Sequence, residues 1–420
     1  MNRRDLFKLA GAAGAFAMLS PVRRLVAEPA LPTKKRLVMV LAQGGWDVTY
    51  ALDPKVQSAK IDVPVGAKRM FGNLDVFADA SRPNVTSYFA KYAALTAVVR
   101  GISVASVAHQ ECLKRMATGT RNETNPDMGA IVAHDNGNDL PLPYLILGDT
   151  AYAGQYAVSA GRVGATNQII ALLDPAQAYQ TNGRSPLVTT NAEDQLLAKY
   201  ANATADRVKA TRGALGYNKK RVDDYVEGIR RGKELQAVRD GFGTRGRTLT
   251  LASQVDLALD ALGRDISQSV MLNTRLAWDT HDTNTDQAAL HETTFAGLTQ
   301  LLDGLAARPG GAAGSTLLDE TVVVCFSEFS RTPKLNSAQG KDHWPVTSAM
   351  VIGANVKGGC AYGATTDGLE AATVDFSTGE KSANGRAVMS SHFVAGVLKA
   401  CGVDAVGHLG PTEVFDAFVA

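Results

Sequence analysis

An α/β fold with a doubly wound, mostly parallel sheet sandwiched by helices is predicted by three observations. Short runs that are apolar at every residue recur along the chain, which suits strands covered on both faces. Stretches with helical spacing separate these runs, so strands and helices alternate instead of segregating. The 420 residues, 45% apolar and 20% charged, are ordinary globular usage and long enough for one large core. The same composition excludes a disordered, collagen-like or disulfide-scaffold chain.

The chain opens with Met-Asn-Arg-Arg-Asp-Leu-Phe-Lys, followed by an apolar run from Leu9 to Leu19, then Pro21 and the basic pair Arg23-Arg24. A charged start, a short apolar middle and small residues near Ala27 are the parts of a secretory signal over residues 1–27. Arg3-Arg4 followed by Leu6, Phe7 and Lys8 resembles a twin-arginine signal. That resemblance implies the twin-arginine translocation machinery as a partner and the periplasm as the destination of the folded chain. A membrane anchor would need about 20 apolar residues in a row; no stretch reaches that, so no transmembrane segment is expected in the mature chain. The precursor carries 43 basic and 41 acidic residues, a net charge of +2. Residues 1–27 contribute five of the former and one of the latter, which leaves −2 after cleavage. Such a balance offers no basic face for nucleic acid.

Residues 31–420 read as a single domain. Strands are predicted at Leu37–Ala42, Leu95–Val99, Tyr144–Leu147, Thr321–Ser327 and Ala349–Gly353, with a possible short strand at Thr274–Ala277. Helices are predicted at His109–Ala117, Asp127–Ala133, Ala252–Leu262, Ala288–Ala307 and Val388–Ala400. From Asn191 to about residue 245 the chain is rich in Lys, Arg, Glu, Asp and Ala and reads as a helical insertion. Its charge runs are solvated helix faces, or else they shape a substrate entrance. A chain folded before export cannot rely on disulfides to reach its fold. Cys325 and Cys401 therefore read as small buried hydrophobes, and Cys112 and Cys360 are assigned no pairing or metal.

In open α/β sheets, ligands bind beyond the carboxyl ends of the strands. Four polar segments stand at such places. Gln43-Gly44-Gly45-Trp46-Asp47 ends the first strand, where glycine turns would set Asp47 at the strand mouth. Trp278-Asp279-Thr280-His281-Asp282 offers a carboxylate and an imidazole two residues apart, able to ligate a divalent ion or to serve as a capping loop before a helix carrying His291. His291 itself reads as structural or as a residue behind the ligands, with ligation the alternative. Ser327-Glu328-Phe329-Ser330-Arg331-Thr332-Pro333 follows the most apolar strand, and a carboxylate there needs a cation such as Arg331 or several hydrogen bonds. Lys341-Asp342-His343-Trp344-Pro345 places Asp342 and His343 side by side in a loop, as a ligand pair. Together the four segments point to a metal-assisted hydrolase.

These motifs, with Lys357-Gly358-Gly359-Cys360-Ala361-Tyr362-Gly363-Ala364-Thr365 after them, resemble the DUF1501 family of exported bacterial proteins. That family is similar in its core to the alkaline phosphatase and sulfatase superfamily. The resemblance implies a site for one or two divalent ions at the strand ends, with zinc, manganese, calcium and magnesium not distinguished. Asp47, Asp279, His281, Glu328, Asp342 and His343 would supply the ligands. Glu328-Phe329 stands where hydrolytic relatives place Asp-His, which removes one ligand and makes one ion the safer expectation. The nucleophile of such enzymes lies at a helix start after an early strand. Here that region is Ser103 to His109; Ser106 is its nearest hydroxyl and His109 a ligand or acid-base group. Arg331 or Lys341 would bind the anionic group of a substrate. No Cys-x-Pro-x-Arg sequence is present, which disfavours a formylglycine sulfatase. The expected function is hydrolysis of phosphate or sulfate esters, acting on an anionic ester or glycan-type small molecule. The alternative is a non-catalytic periplasmic binding or envelope-assembly protein on the same fold.

Overall fold

The structure is a computed structural model that describes residues 33–64, 66–122, 124–162, 191–237 and 250–420. The signal over residues 1–27, and the end of the predicted insertion at 238–245, lie outside the described residues. In chain order, β1 is Arg36–Leu41, β2 Lys68–Phe71, β3 Leu74–Phe77, α1 Pro83–Tyr92, β4 Thr96–Ser103, α2 His109–Thr118, α3 Met128–Gly137, β5 Tyr144–Ile146 and β6 Ala160–Arg162. There follow α4 Asn191–Lys209, α5 Gly216–Ala237, α6 Leu251–Gly263, β7 Ser269–Asn273, α7 Gln287–Ala306, β8 Thr321–Phe326, β9 Ser330–Arg331 and β10 His343–Trp344. The chain closes with β11 Val346–Gly353, β12 Cys360–Gly363, β13 Val388–Met389, α8 Ser390–Ala400 and α9 Val406–Leu409.

The main sheet runs β12-β4-β11-β8-β1-β7-β5-β6, with β13 beside β4. Every neighbouring pair is parallel except those made by β11, which runs against both β4 and β8. Along β1 the side chains alternate between two cores. Val38 and Val40 pack with α1, α6 and α7 through Phe89, Val255 and Phe295, whereas Leu37, Met39 and Leu41 pack with α2, α3 and α8 through Leu113, Ile131 and Phe393. Both faces are covered, which is why the strand runs carry no polar alternation. All four cysteines are free; Cys112, Cys325 and Cys401 are buried. Among the described residues no helix is long and apolar enough to cross a membrane.

Several elements differ from their predicted bounds. The strand expected at Thr274–Ala277 lies one step earlier, at Ser269–Asn273, with all five residues buried. Its polar ends disguise it: Ser269 Oγ donates to Gly129 O at 2.6 Å, and Gln254 both donates to Asn273 O and accepts from its N–H. Helix α8 begins at Ser390 because Val388 and Met389 pair with β4. Strand β12 and the β2–β3 hairpin with α1 have no counterpart in the predicted set.

Helices α4 and α5 form a hairpin. Arg231, 4% exposed, anchors it by donating to Asn138 O at 2.7 Å, and Lys220 Nζ donates to Gln155 O at 3.1 Å. Its outer faces carry i,i+4 pairs such as Lys219–Asp223 and Lys220–Asp224.

Candidate metal centre

Strands β1, β8, β7 and β4 end at the same sheet edge, and their following loops converge there. The loop after β1 is drawn in first. Gly44 N–H donates to both oxygens of Glu328, at 2.8 and 3.0 Å, and a Cβ at Gly44 would stand 3.0 Å from Asp279 N. Gly45, at φ +86°, leaves room for the Phe329 ring; a Cβ there would come within 2.2 Å of it. The glycines thus serve close backbone approach, with β8 and the Trp278-Asp279 segment as their neighbours.

Three of the seven histidines in the chain meet above this platform. His281 Nε2 stands 2.9 Å from His343 Nε2, and each lies near Asp279 Oδ1, at 3.2 and 3.3 Å. His109 Nε2, from the first turn of α2, is 3.5 Å from Asp279 Oδ2. The far nitrogen of each ring is held by an acceptor. His109 Nδ1 meets Glu328 Oε1 at 2.8 Å, His281 Nδ1 meets Asp342 Oδ1 at 3.0 Å, and His343 Nδ1 meets Val107 O at 2.8 Å. A carboxylate and a carbonyl can only accept, so these bonds place the proton on Nδ1 and leave the Nε2 lone pairs facing inward.

Two inward lone pairs at 2.9 Å repel unless a proton or a metal ion lies between them. Donors about 2.1 Å from one ion at tetrahedral angles stand about 3.4 Å apart; His281, His343 and Asp279 Oδ1 lie 2.9 to 3.3 Å from one another, and the ligand atoms of His109, Asp279 and His343 all lie within 4.8 Å of one another, spacings that suit a single ion. Burial also holds His343 below its ordinary pKa, favouring the neutral ligand form. The hydrogen bond that His109 donates to Glu328 raises the pKa of His109. Burial pushes the Asp279 carboxyl up, but the Arg331 hydrogen bond and charge outweigh it and keep the group ionised. The side chains of His281 and Asp279 are 42% and 47% exposed, so the cluster is open to a solute.

The predicted site residues divide into three groups. Asp279, His343 and His109 offer ligand atoms within 4.8 Å of one another, and His281 meets two of them, His343 and Asp279. Glu328 and Asp342 stand behind histidines, orienting them. Glu328 is fully buried and also accepts from Ser327 Oγ at 3.1 Å, so its oxygens are spent on Gly44, Ser327 and His109. The remaining residues go elsewhere. Asp47 is fully buried and paired with the equally buried Lys341 at 2.7 Å, taking further hydrogen bonds from Thr49 and Asn284. The expectation of Asp47 as a ligand and of Lys341 as an anion binder is corrected by this pair. Arg331 is likewise buried, its guanidinium spent on Gly44 O, Gly45 O, Trp278 O, Lys341 O and Asp279 Oδ1. It braces Asp279 and has no face toward a substrate. Ser106 Oγ donates to Glu111 Oε2 at 2.8 Å, at the approach to α2. The Val107 carbonyl and the Phe329 ring, packed 4.3 Å from the His343 ring and 4.8 Å from the His109 ring, complete the site. No sequence signal marks a carbonyl as a partner of a distant imidazole.

His291 lies under the same platform, fully buried, stacked on Trp46 and donating to Asp47 O at 3.1 Å. Burial drives its pKa down to about 3. Its folded pKa lies below its unfolded value, so its contribution is complete above about 6.5 and is lost as pH falls. Between pH 7 and pH 5 this group alone is expected to cost about 2 kcal/mol of stability. Urea unfolding of wild type and His291→Phe at both pH values checks it; equal losses in the two proteins refute the assignment.

The family described as "Protein of unknown function (DUF1501)" matches residues 34–405. The chain belongs to the DUF1501 family. No curated protein matches the sequence. Among solved structures, this DUF1501 protein is similar to a protein of the alkaline phosphatase superfamily from Vibrio parahaemolyticus, at 9% identity over 88% of this chain and 67% of that one, with a TM-score of 0.39. It is also similar to the C-terminal periplasmic domain of EcEptC from Escherichia coli, at 10% identity over 93% and 90% of the chains, TM-score 0.37. A third is the lipoteichoic acid synthase LtaP from Listeria monocytogenes, at 10% identity over 91% and 75%, TM-score 0.36.

Proposed function

We propose that Asp279, His281, His343 and His109 hold one divalent ion, and that the site hydrolyses phosphate or sulfate esters in the periplasm after export through the twin-arginine pathway. The reading is carried by the paired Nε2 atoms of His281 and His343, 2.9 Å apart with both opposite nitrogens tied to acceptors. Three imidazoles and one carboxylate favour zinc or a similar transition ion over calcium or magnesium, which prefer all-oxygen sets. A bound ion supplies Lewis acidity, polarising an ester oxygen and lowering the pKa of a nucleophile. The chain's own residues do the rest. Arg331 fixes Asp279, Glu328 and Asp342 fix their histidines, and Phe329 bars water from one flank. Ser106 is the hydroxyl at the helix entry, with Glu111 Oε2 placed to take its proton.

One observation favours the second reading, a binding protein without turnover. Phe329 fills the flank of His109 and His343 with a ring, where a second ion would need a ligand. Protein recovered from the periplasmic fraction of an expressing host is expected to carry about one equivalent of a transition metal, as one such donor set predicts. Asp279→Ala and His343→Ala are expected to abolish it, and chelator is expected to lower the Tm of wild type. A metal-free protein whose Tm ignores chelator sinks the site. Aryl phosphates, phosphodiesters and aryl sulfates then separate enzyme from binder, no turnover by metal-loaded protein supporting the second reading.

A further inference from the structure

We propose that Arg275 and Arg162 form a second anion-binding point beside the metal cluster, so that the preferred substrate is an ester bearing a further anionic group, a carboxylate, sulfate or phosphate, on the part away from the reacting bond. The substrate class rests on the hydrolase reading above; the arginine pair does not.

Both cations nearest the cluster are already consumed. Arg331 and Lys341 are fully buried and committed to protein acceptors, so recognition of a second anion falls to other side chains. Arg275 follows β7 by two residues and Arg162 ends β6, with β5 between them. The parallel order β1-β7-β5-β6 brings both to the edge that holds the cluster. They meet at Asp149 in the loop after β5. Arg275 Nη2 lies 3.0 Å from Asp149 Oδ1, and Arg162 Nη1 donates to Asp149 O at 2.6 Å. One guanidinium thus faces the Asp149 carboxylate, itself 60% exposed, and the other its backbone carbonyl, so two positive charges stand beside one negative charge. A guanidinium matches a carboxylate, sulfate or phosphate in a bidentate fork, whichever supplies the oxygens.

The backbone at Arg275 is held in an unusual form for this placement. Its φ is +53°, a left-handed conformation that non-glycine residues seldom adopt. Asn273 Oδ1 secures it by accepting the Arg275 N–H at 2.8 Å. Gln43, beside Gly44 of the cluster platform, accepts from Asn273 Nδ2 at 3.1 Å and from Thr150 Oγ1 at 3.3 Å. A chain of hydrogen bonds therefore links the first loop, through Gln43 and Asn273, to the backbone of Arg275. Neighbouring strands lie about 4.8 Å apart, so the end of β5 is roughly 10 Å from the end of β1, about the span of a biphenyl or two sugar rings.

The test uses two probes, biphenyl-4-ylphosphonate and its 4′-carboxy derivative, titrated calorimetrically into the full chain loaded with zinc and, separately, stripped by chelator. The carboxylated probe is expected to bind zinc-loaded protein about tenfold more tightly than its twin, the worth of one charge-assisted contact. Arg275→Asn, which suits a left-handed φ, and Arg162→Gln should each bring that ratio close to one. Equal affinities for the two probes in both metal states overturn the arginine assignment, as does a preference that both substitutions leave intact. A preference that is the same with and without zinc, and is lost in Arg275→Asn, upholds the arginine pair while counting against the metal reading.

Discussion

Replacing Lys341 with methionine is expected to lower the free energy of unfolding by about 3–5 kcal/mol, the cost of leaving one member of a buried ion pair uncompensated. Asp47 and Lys341 are both fully buried, and the carboxylate oxygen lies 2.7 Å from Nζ. Burial alone would push the Asp47 carboxyl up; the charge and hydrogen bond of Lys341, helped by Thr49 and Asn284, hold it below the usual range. Methionine matches the stem of lysine and removes the ammonium, so the remaining donors must support a buried anion. Adding Asp47→Asn should recover a substantial part of the loss, because no charge is then stranded. Urea unfolding of the two single variants and the double variant reads the coupling directly. A loss below about 1 kcal/mol for Lys341→Met would mean that water reaches Asp47, against its zero exposure.

That pair also shows where sequence reading ends. The strands β1 and β8 are legible because Leu37–Leu41 and Val322–Phe326 are apolar on both faces, and a doubly covered sheet demands that. Strand β7 is less so, because Ser269 and Asn273 look like turn residues until their partners Gly129 and Gln254 are seen. In the site, Asp279-x-His281 and Asp342-His343 are legible as local groupings of ligand chemistry at strand ends. Which carboxylate faces the shared point and which stands behind a ring is not local. It depends on Glu328 meeting Gly44, 284 residues away, and on Arg331 saturating carbonyls from the first loop. Asp47 sits in a strand-end loop like a ligand, and what withdraws it is an ammonium 294 positions later. Position along a strand indicates the edge a residue reaches; its partners decide its role.

Glu328→Gln is expected to weaken metal binding roughly 10–100-fold, the usual consequence of disturbing the group behind a ligating histidine. The Glu328 carboxylate accepts from Gly44 N–H through both oxygens, from Ser327 Oγ, and from His109 Nδ1 at 2.8 Å. An amide of the same shape turns one of those acceptors into a donor. Either the new amide –NH2 takes the oxygen position that meets Ser327 and crowds the Gly44 N–H, which lowers stability, or it takes the position that meets His109, which then shifts its proton to Nε2 and withdraws its lone pair from the cluster. Competition with a chelator of known affinity measures the second outcome, and the urea midpoint measures the first. Asp342→Asn should be much milder: that carboxylate is 61% exposed, so water can replace it at His281 Nδ1, whereas nothing can replace Glu328 in a dry position. Affinity changed less than twofold by Glu328→Gln, with stability reduced, would remove His109 from the ligand set and leave Asp279, His281 and His343 to hold the ion with an open fourth position.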